Sequence, residues 1–251
     1  MDLTQAALLF LAGFTGGMMN TVAGGGTFVT FPALVLAGVP EVTANASATL
    51  AALPGYLAGA LGFRGEVRAF DRRQLGRLTA WTLVGSAIGS GLLLVSSPAA
   101  FRAVVPFLLL IATLVFVFGD RVRAFMARHR GGVPAFGIGT LLPVAIYGGY
   151  FNGGLGIILL ALFSLWGMNN IHEMNGLKTW LSFALSVVSA LIFAVGGKIV
   201  WGPALVMMAG NTAGGYLGAP VARLLPRPVL RGLIAAIGFG MTILFFRRLF
   251  Q

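Results

Sequence analysis

The sequence predicts an all-α, polytopic membrane helix bundle made of two inverted-topology repeats, each with a glycine-broken or re-entrant half-helix. Three observations predict it: charge is scarce, apolar runs recur at bilayer-spanning length, and one glycine pattern occurs once per half with the loop charge bias reversed.

The 251-residue chain is 58% hydrophobic and 9% charged, whereas a soluble domain carries roughly 25% charged residues. So few charges cannot coat a water-facing surface of this size. The formal net charge of +11 would suit a polyanionic partner, but the arginines cluster at the ends of apolar segments. That placement is the positive-inside pattern of cytoplasmic loops, and it argues for a bacterial-type cytoplasmic membrane rather than for nucleic acid. The absence of cysteine excludes thiolate chemistry, and with only His129 and His172 a histidine metal cluster is not expected, nor is any other metal or cofactor. The first apolar run follows the acidic Asp2 and lacks the basic flank and small-residue cleavage pattern of a signal peptide, so it reads as a retained span.

Apolar segments fall at about 5–22, 27–38, 43–63, 75–95, 99–119, 134–151, 157–167, 171–196, 203–225 and 229–247. Most match the ~20 residues that cross a hydrocarbon core. The runs 27–38 and 157–167 reach only about halfway at ~1.5 Å per residue. Each follows a glycine cluster: Gly24, Gly25 and Gly26 before the first, Gly153, Gly154 and Gly156 before the second.

That coincidence exposes a duplication. Gly16-Gly17, Asn20, the triple glycine and a short run ending at Gly38 are echoed by Gly148-Gly149, Asn152, Gly153-Gly154-Leu155-Gly156 and a run ending at Gly167. Farther on, Gly85-Ser86-Ala87-Ile88-Gly89-Ser90 is echoed by Gly210-Asn211-Thr212-Ala213-Gly214-Gly215. The predicted division is a first repeat at 1–119, a basic cytoplasmic linker at 120–133 and a second repeat at 134–251. Loop 64–77 has five arginines and its counterpart around Lys198 one lysine; the loop near Arg102 has one arginine and its counterpart from Arg223 to Arg231 three. A bias that reverses between halves marks two copies entering the membrane from opposite sides. Arg247 and Arg248 fit this less well. Each short run pairs with its predecessor as a broken or re-entrant hairpin, or a plain eight-helix count has its first and fifth helices long, broken and tilted.

Short, glycine-interrupted segments at matching places in two halves point to a transporter's binding site. Glycine lets the chain unwind close to a ligand, and the following half-helix offers unsatisfied N–H groups at its positive end. Two such ends suit an anion. Candidate substrate contacts are therefore Asn20, Gly24, Gly25, Gly26 and Thr27 in the first half, and Asn152, Gly153, Gly154 and Gly156 in the second. The next segments add Asn45, Ser47 and Thr49, and Asn175, Lys178 and Thr179. Matching Gly38 with Gly167 sets Thr49 opposite Lys178, the one strong cation candidate well inside a presumed span.

Structural roles compete with these. Gly85, Gly89, Gly210 and Gly214 read as packing devices, and Lys178 can instead snorkel if its helix starts later. Glu41 and Glu173 sit at helix starts, where a carboxylate complements the dipole better than it would couple protons. His172 reads as interfacial, Met18-Met19 and Met207-Met208 as packing rather than copper(I) ligands, and Pro54, Pro106, Pro143 and Pro220 as kinks.

The run Gly24-Gly25-Gly26-Thr27-Phe28-Val29-Thr30-Phe31-Pro32-Ala33-Leu34, with Gly38-Val39-Pro40 and Ala44-Asn45-Ala46-Ser47, resembles the opening signature of the TauE/SafE group of sulfite and organosulfonate exporters (TSUP permeases). Gly214-Gly215-Tyr216-Leu217-Gly218-Ala219-Pro220 with Leu225-Pro226 is similar to its closing stretch. The second copy departs from the pattern: Ala161 stands where the first has Pro32, and Lys178 lies outside the signature, which leaves the substrate open. The resemblance implies a permease, not an enzyme, that exports a small sulfur-containing anion, sulfite or a sulfonate, among membrane lipids. Residues alone leave open an anion channel, a permease of this fold for another small anion or for uptake, and assembly as a homodimer. A membrane-embedded enzyme lacks a clustered acid, His or Cys set.

Overall fold

The computed structural model describes residues 1–22, 24–118, 121, 124–125, 128, 134–224 and 227–249. The expected linker at 120–133 lies outside them save for 121, 124, 125 and 128, as do 225–226 of the closing motif and the side chains at 217–220. The described residues form eleven helices and no strand. A chain rich in leucine and alanine that must satisfy its backbone without water closes its hydrogen bonds within helices.

The elements are α1 (Leu3–Val22), α2 (Thr27–Leu36), α3 (Glu41–Gly62), α4 (Arg64–Ala69), α5 (Arg72–Val95), α6 (Pro98–Val117), α7 (Ile138–Tyr150), α8 (Leu155–Leu165), α9 (Ile171–Val195), α10 (Trp201–Leu224) and α11 (Arg227–Leu249). Three are long and apolar enough to cross a membrane by length and composition: α5, α9 and the Pro98–Val115 part of α6. α3 is long enough, but Thr43, Asn45, Ser47 and Thr49 dilute its apolar character. The chain is a multi-pass membrane protein.

Both half-length helices form where the sequence places them, with 10 residues in α2 and 11 in α8. Each stops in the same way. Gly38 and Gly167 take the left-handed conformation (φ 85° and 90°), and the next residues donate back into the last turn, Val39 N to Leu34 O at 3.0 Å and Met168 N to Phe163 O at 3.0 Å. This six-residue closure satisfies the terminal carbonyls and needs glycine at its positive-φ position. At the first break the chain folds back, so that Gly16 of α1 lies against Gly26 and Thr30. That contact favours a broken hairpin over a straight tilted helix.

The half-helices are also the most enclosed elements. Phe28, Phe31 and Leu34 of α2 are fully buried. Phe31 meets Phe151 edge-on at 5.6 Å and stacks on Phe245 at 5.7 Å. α8 has Ser164 as its one hydroxyl, returned to Leu160 O within the helix, and buries Leu155, Leu159, Leu162 and Phe163 against Leu141, Leu177, Leu181 and Leu185. A helix without a polar face belongs inside protein or lipid, and these two lie inside protein.

One element departs from expectation. The basic stretch 64–77, read as a loop, contains the six-residue helix α4 before α5 begins. Gly176 of α9 leaves room for it: a Cβ there would stand 3.2 Å from Glu66 Cβ and 3.4 Å from Val67 Cγ2. Burial of Val67 outweighs the poor helix signal of so charged a segment.

The extensive helix contacts join the halves. α1 packs along α10, α5 along α7, α3 along both α9 and α10, α9 along α5, and α6 along α11. Exchanging the halves turns the α1–α10 pair into the α7–α5 pair and the α3–α10 pair into the α9–α5 pair, while α3–α9 and α6–α11 map onto themselves. The glycines read as packing devices sit at these crossings. A Cβ would lie 2.1 Å from Phe10 O at Gly210, 1.9 Å from Phe14 O at Gly214, 2.5 Å from Ala145 Cβ at Gly85 and 2.1 Å from Ile146 O at Gly89. Only glycine admits backbones this close.

Candidate functional site

The two breaks meet. A Cβ added to Gly24 would stand 2.8 Å from Gly156 Cα, and one added to Gly156 would stand 2.8 Å from Gly24 Cα and 3.2 Å from Lys178 Cδ. Gly25 approaches Ile157, the third residue of α8, and Gly154 approaches Phe28 of α2 and Ala112 of α6. The starts of both half-helices and the Lys178 stem thus share one region, with backbone against backbone. Counted from the helix starts, Gly24 and Asn152 hold the same place, each three residues ahead of its half-helix. Both are left-handed, with φ 80° and 52°. Asparagine is among the few side chains that tolerate this conformation, so it stands in for glycine at the second break.

Neither half-helix start is capped by a side chain. The long helices α5 and α9 are capped, by Asp71 accepting from Gln74 N and by Asn170 accepting from His172 N. Part of each first turn is already engaged, with Phe28 N donating to Gly25 O, Val29 N to Gly26 O and Ile157 N to Gly154 O, and what each start keeps is its positive end, which suits an anion.

Polar side chains around the breaks are incompletely paired. Asn20 accepts from Gly26 N at 2.8 Å through Oδ1, while its Nδ2 has no partner. Asn152 is 1% exposed with both amide atoms unpaired. Asn45 donates to Tyr150 O at 2.9 Å and leaves Oδ1 unpaired. A buried polar atom without a partner is destabilising by about 1–3 kcal/mol, so such a cluster calls for a ligand or for water. Lys178 is 1% exposed, two turns into α9, and donates to Asn175 Oδ1 at 2.8 Å. It is enclosed by protein rather than reaching outward, because α9 begins at Ile171 and not later. Among the described residues the one ion pair is Arg102 with Glu41 at 3.6 Å, on the α6 and α3 starts.

Other sequence candidates use their polar groups elsewhere. Ser47 Oγ accepts from Val200 N ahead of α10. Thr49 and Thr179 return their hydroxyls to the carbonyls of Asn45 and Asn175 within their own helices, and the Thr179 methyl fills the space left by Gly59. Thr27 opens α2 and pairs with the Tyr56 hydroxyl. Two tyrosines were not anticipated: Tyr56, and Tyr147, whose hydroxyl donates to Gly153 O and props the second break. Their signal was available, since a tyrosine inside a span rather than at its interface asks for a partner. Among the described residues no group of three His, Cys, Asp or Glu could hold a metal.

Known proteins resemble this chain along most of its length. The family model described as Sulfite exporter TauE/SafE matches residues 9–245. A probable membrane transporter protein of Haemophilus influenzae is 32% identical over 94% of this chain and 92% of its own length. The probable membrane transporter protein ORF9 of a Sinorhizobium species is 26% identical, over 94% and 90%, and the probable membrane transporter protein YfcA of Escherichia coli is 26% identical, over 94% and 87%. No solved structure matches. With a family model spanning nearly the whole chain, and relatives matching it end to end, this protein belongs to the TauE/SafE sulfite exporter family.

Proposed function

We propose that the chain is a secondary transporter that exports a small sulfur-containing anion, sulfite or an organosulfonate, across the cytoplasmic membrane by alternating access. The observation that carries this reading is the meeting of the two breaks at Gly24 and Gly156 beside the Lys178 stem, with uncapped starts of α2 and α8 in the same region. Backbone donors, the Lys178 ammonium and the amides of Asn20, Asn45, Asn152 and Asn175 would hold the anion there. The family description supports both the substrate class and the outward direction.

The two halves, 1–119 and 134–251, are proposed to be inverted repeats that rock against each other around this region. The exchange symmetry of the helix pairings and the reversed charge bias of the loops support it. Because Gly24 and Gly156 touch, rocking that separates the crossings would open the space between the breaks.

Flux into proteoliposomes with a panel of sulfite, sulfate, thiosulfate and alkyl sulfonates at two pH values tests the proposal. Saturable, counter-transported flux of sulfite or a sulfonate is expected. Flux that never saturates would make the protein a channel instead, and transport of none of the panel would overturn the substrate class.

A further inference from the structure

Asn211 lies on α10 where that helix crosses α1 and α3. It is fully buried, and neither Nδ2 nor Oδ1 has a hydrogen-bond partner within the protein. Two helices contribute glycine around it. A Cβ at Gly55 of α3 would stand 2.8 Å from Asn211 Oδ1, one at Gly16 of α1 3.7 Å from Asn211 Nδ2, and one at Gly17 2.1 Å from the Asn211 carbonyl. Backbone packing alone accounts for glycine at position 17. It does not account for an unpaired amide directed between Gly16 and Gly55.

The counterpart crossing is built differently. Where α5 meets α7 and α9, Ser86 donates to Leu185 O at 2.7 Å and pairs with Ser189 at 2.9 Å, and Ser90 donates to Ser189 at 2.8 Å. At the position matching Asn211, Ser86 has partners, although Thr82, Ser182 and Ser186 beside it do not; Asn211 differs in leaving both atoms of a whole amide unpaired. The amide also lies close to the break. Gly16 packs on Gly26, and a Cβ at Gly26 would stand 2.7 Å from Asn20 Nδ2. The two unpaired NH2 groups, of Asn20 and Asn211, therefore flank one glycine–glycine contact at the start of α2.

From this geometry we propose that Asn211 is a second anion contact, which receives the translocated oxyanion, or its hydrating water, on the α1–α3–α10 side of the breaks. Its amide presents a donor to an oxyanion oxygen and an acceptor to a bound water, and rotating the amide exchanges the two. The assignment rests on the transporter reading above and adds to it a residue and a side of exit.

Sulfite and methanesulfonate affinity of the purified full-length protein, read alongside thermal stability, tests it. Asn211→Ala and Asn211→Ser should each weaken sulfite binding about tenfold or more, the loss of one hydrogen bond to an anion. Their melting temperatures should equal or exceed the parent's, because a buried unpaired amide has been removed. Thr212→Ala is the control: its side chain is exposed and bonded to Met208 O, and it should bind as the parent does. If Asn211→Ala does not fold, Asn211→Ser decides, since a serine is accommodated at the matching crossing. Parent-like affinity in the variant that folds, or a lowered melting temperature with unchanged affinity, overturns the assignment to Asn211 alone. A parent that binds neither anion overturns the transporter substrate and this contact together.

Discussion

Lys178 is a cation buried in a span and paired with a neutral amide, Asn175. Insertion scales put a lysine at a helix centre at about 2.5–3.5 kcal/mol, so the residue is kept against a physical penalty. Lys178→Met is expected to weaken substrate affinity about tenfold or more, through loss of a charge-assisted hydrogen bond of roughly 1.5–3 kcal/mol. Lys178→Arg should fall between, since it keeps charge but changes shape. Equilibrium binding to purified protein measures this, and unchanged affinity in the methionine variant would leave the anion to backbone and neutral groups. Lys178 was legible in the sequence because nothing else charged lies so deep. Asn211 was not, because it sits within Gly210-Asn211-Thr212-Ala213-Gly214, where glycine spacing spells helix packing and hides the one amide in the stripe. Hydroxyls mislead in the opposite direction: Thr49 and Thr179 look available in sequence, yet a helix supplies its own acceptor four residues back.

At the scale of an element, glycine carries three distinct meanings that substitution should separate. At Gly214 a methyl would collide with Phe14 O, so Gly214→Ala should lower stability by about 1–3 kcal/mol through overpacking. At Gly91 of α5 nothing lies within 4 Å of an added Cβ, so Gly91→Ala should raise stability by up to about 0.5–1 kcal/mol through helix propensity. Thermal melts in detergent should show opposite shifts. At Gly25, whose φ is ordinary and whose nearest neighbour is the Phe28 ring of its own half-helix at 3.3 Å, Gly25→Leu should abolish transport while leaving membrane insertion intact. Loss of expression would mark it as packing. The half-helix lengths and the stops at Gly38 and Gly167 were readable, because a short apolar run followed by glycine has one good way to end. The register of the breaks was harder to read. Matching Asn20 with Asn152 follows residue type, whereas the helix starts match Gly24 with Asn152, two residue types that share a left-handed backbone.

At the scale of the molecule the charge bias predicts orientation. The chain has no cysteine, so a single introduced thiol reports unambiguously. Ala69→Cys at the end of α4 should resist an impermeant reagent in intact cells and react in inverted vesicles, and Lys198→Cys between α9 and α10 should do the reverse. Both positions have exposed or half-buried side chains. Equal labelling from one side would sink the inverted arrangement. Composition made the membrane class readable, and the echoed glycine motifs made the two half-length helices readable. Which half packs on which was not, because periodicity within a helix says nothing about its neighbour. For the longer helices the main neighbour is in the other half, α1 on α10, α7 on α5 and α6 on α11, while the half-helices α2 and α8 lean mainly on helices of their own half. The second half does pack Leu155, Leu159 and Phe163 among its own Leu141, Leu177 and Leu185, but its helices α7, α10 and α11 lie along helices of the first half, so the two are joined by interlocked helices as well as by the peptide between them. Two separately synthesised fragments, 1–118 and 134–251, should find each other in the membrane and restore transport, while either alone should be degraded. On the proposed inverted duplication, a single-length ancestor of such a chain would have had to work as a pair of molecules inserted in opposite directions.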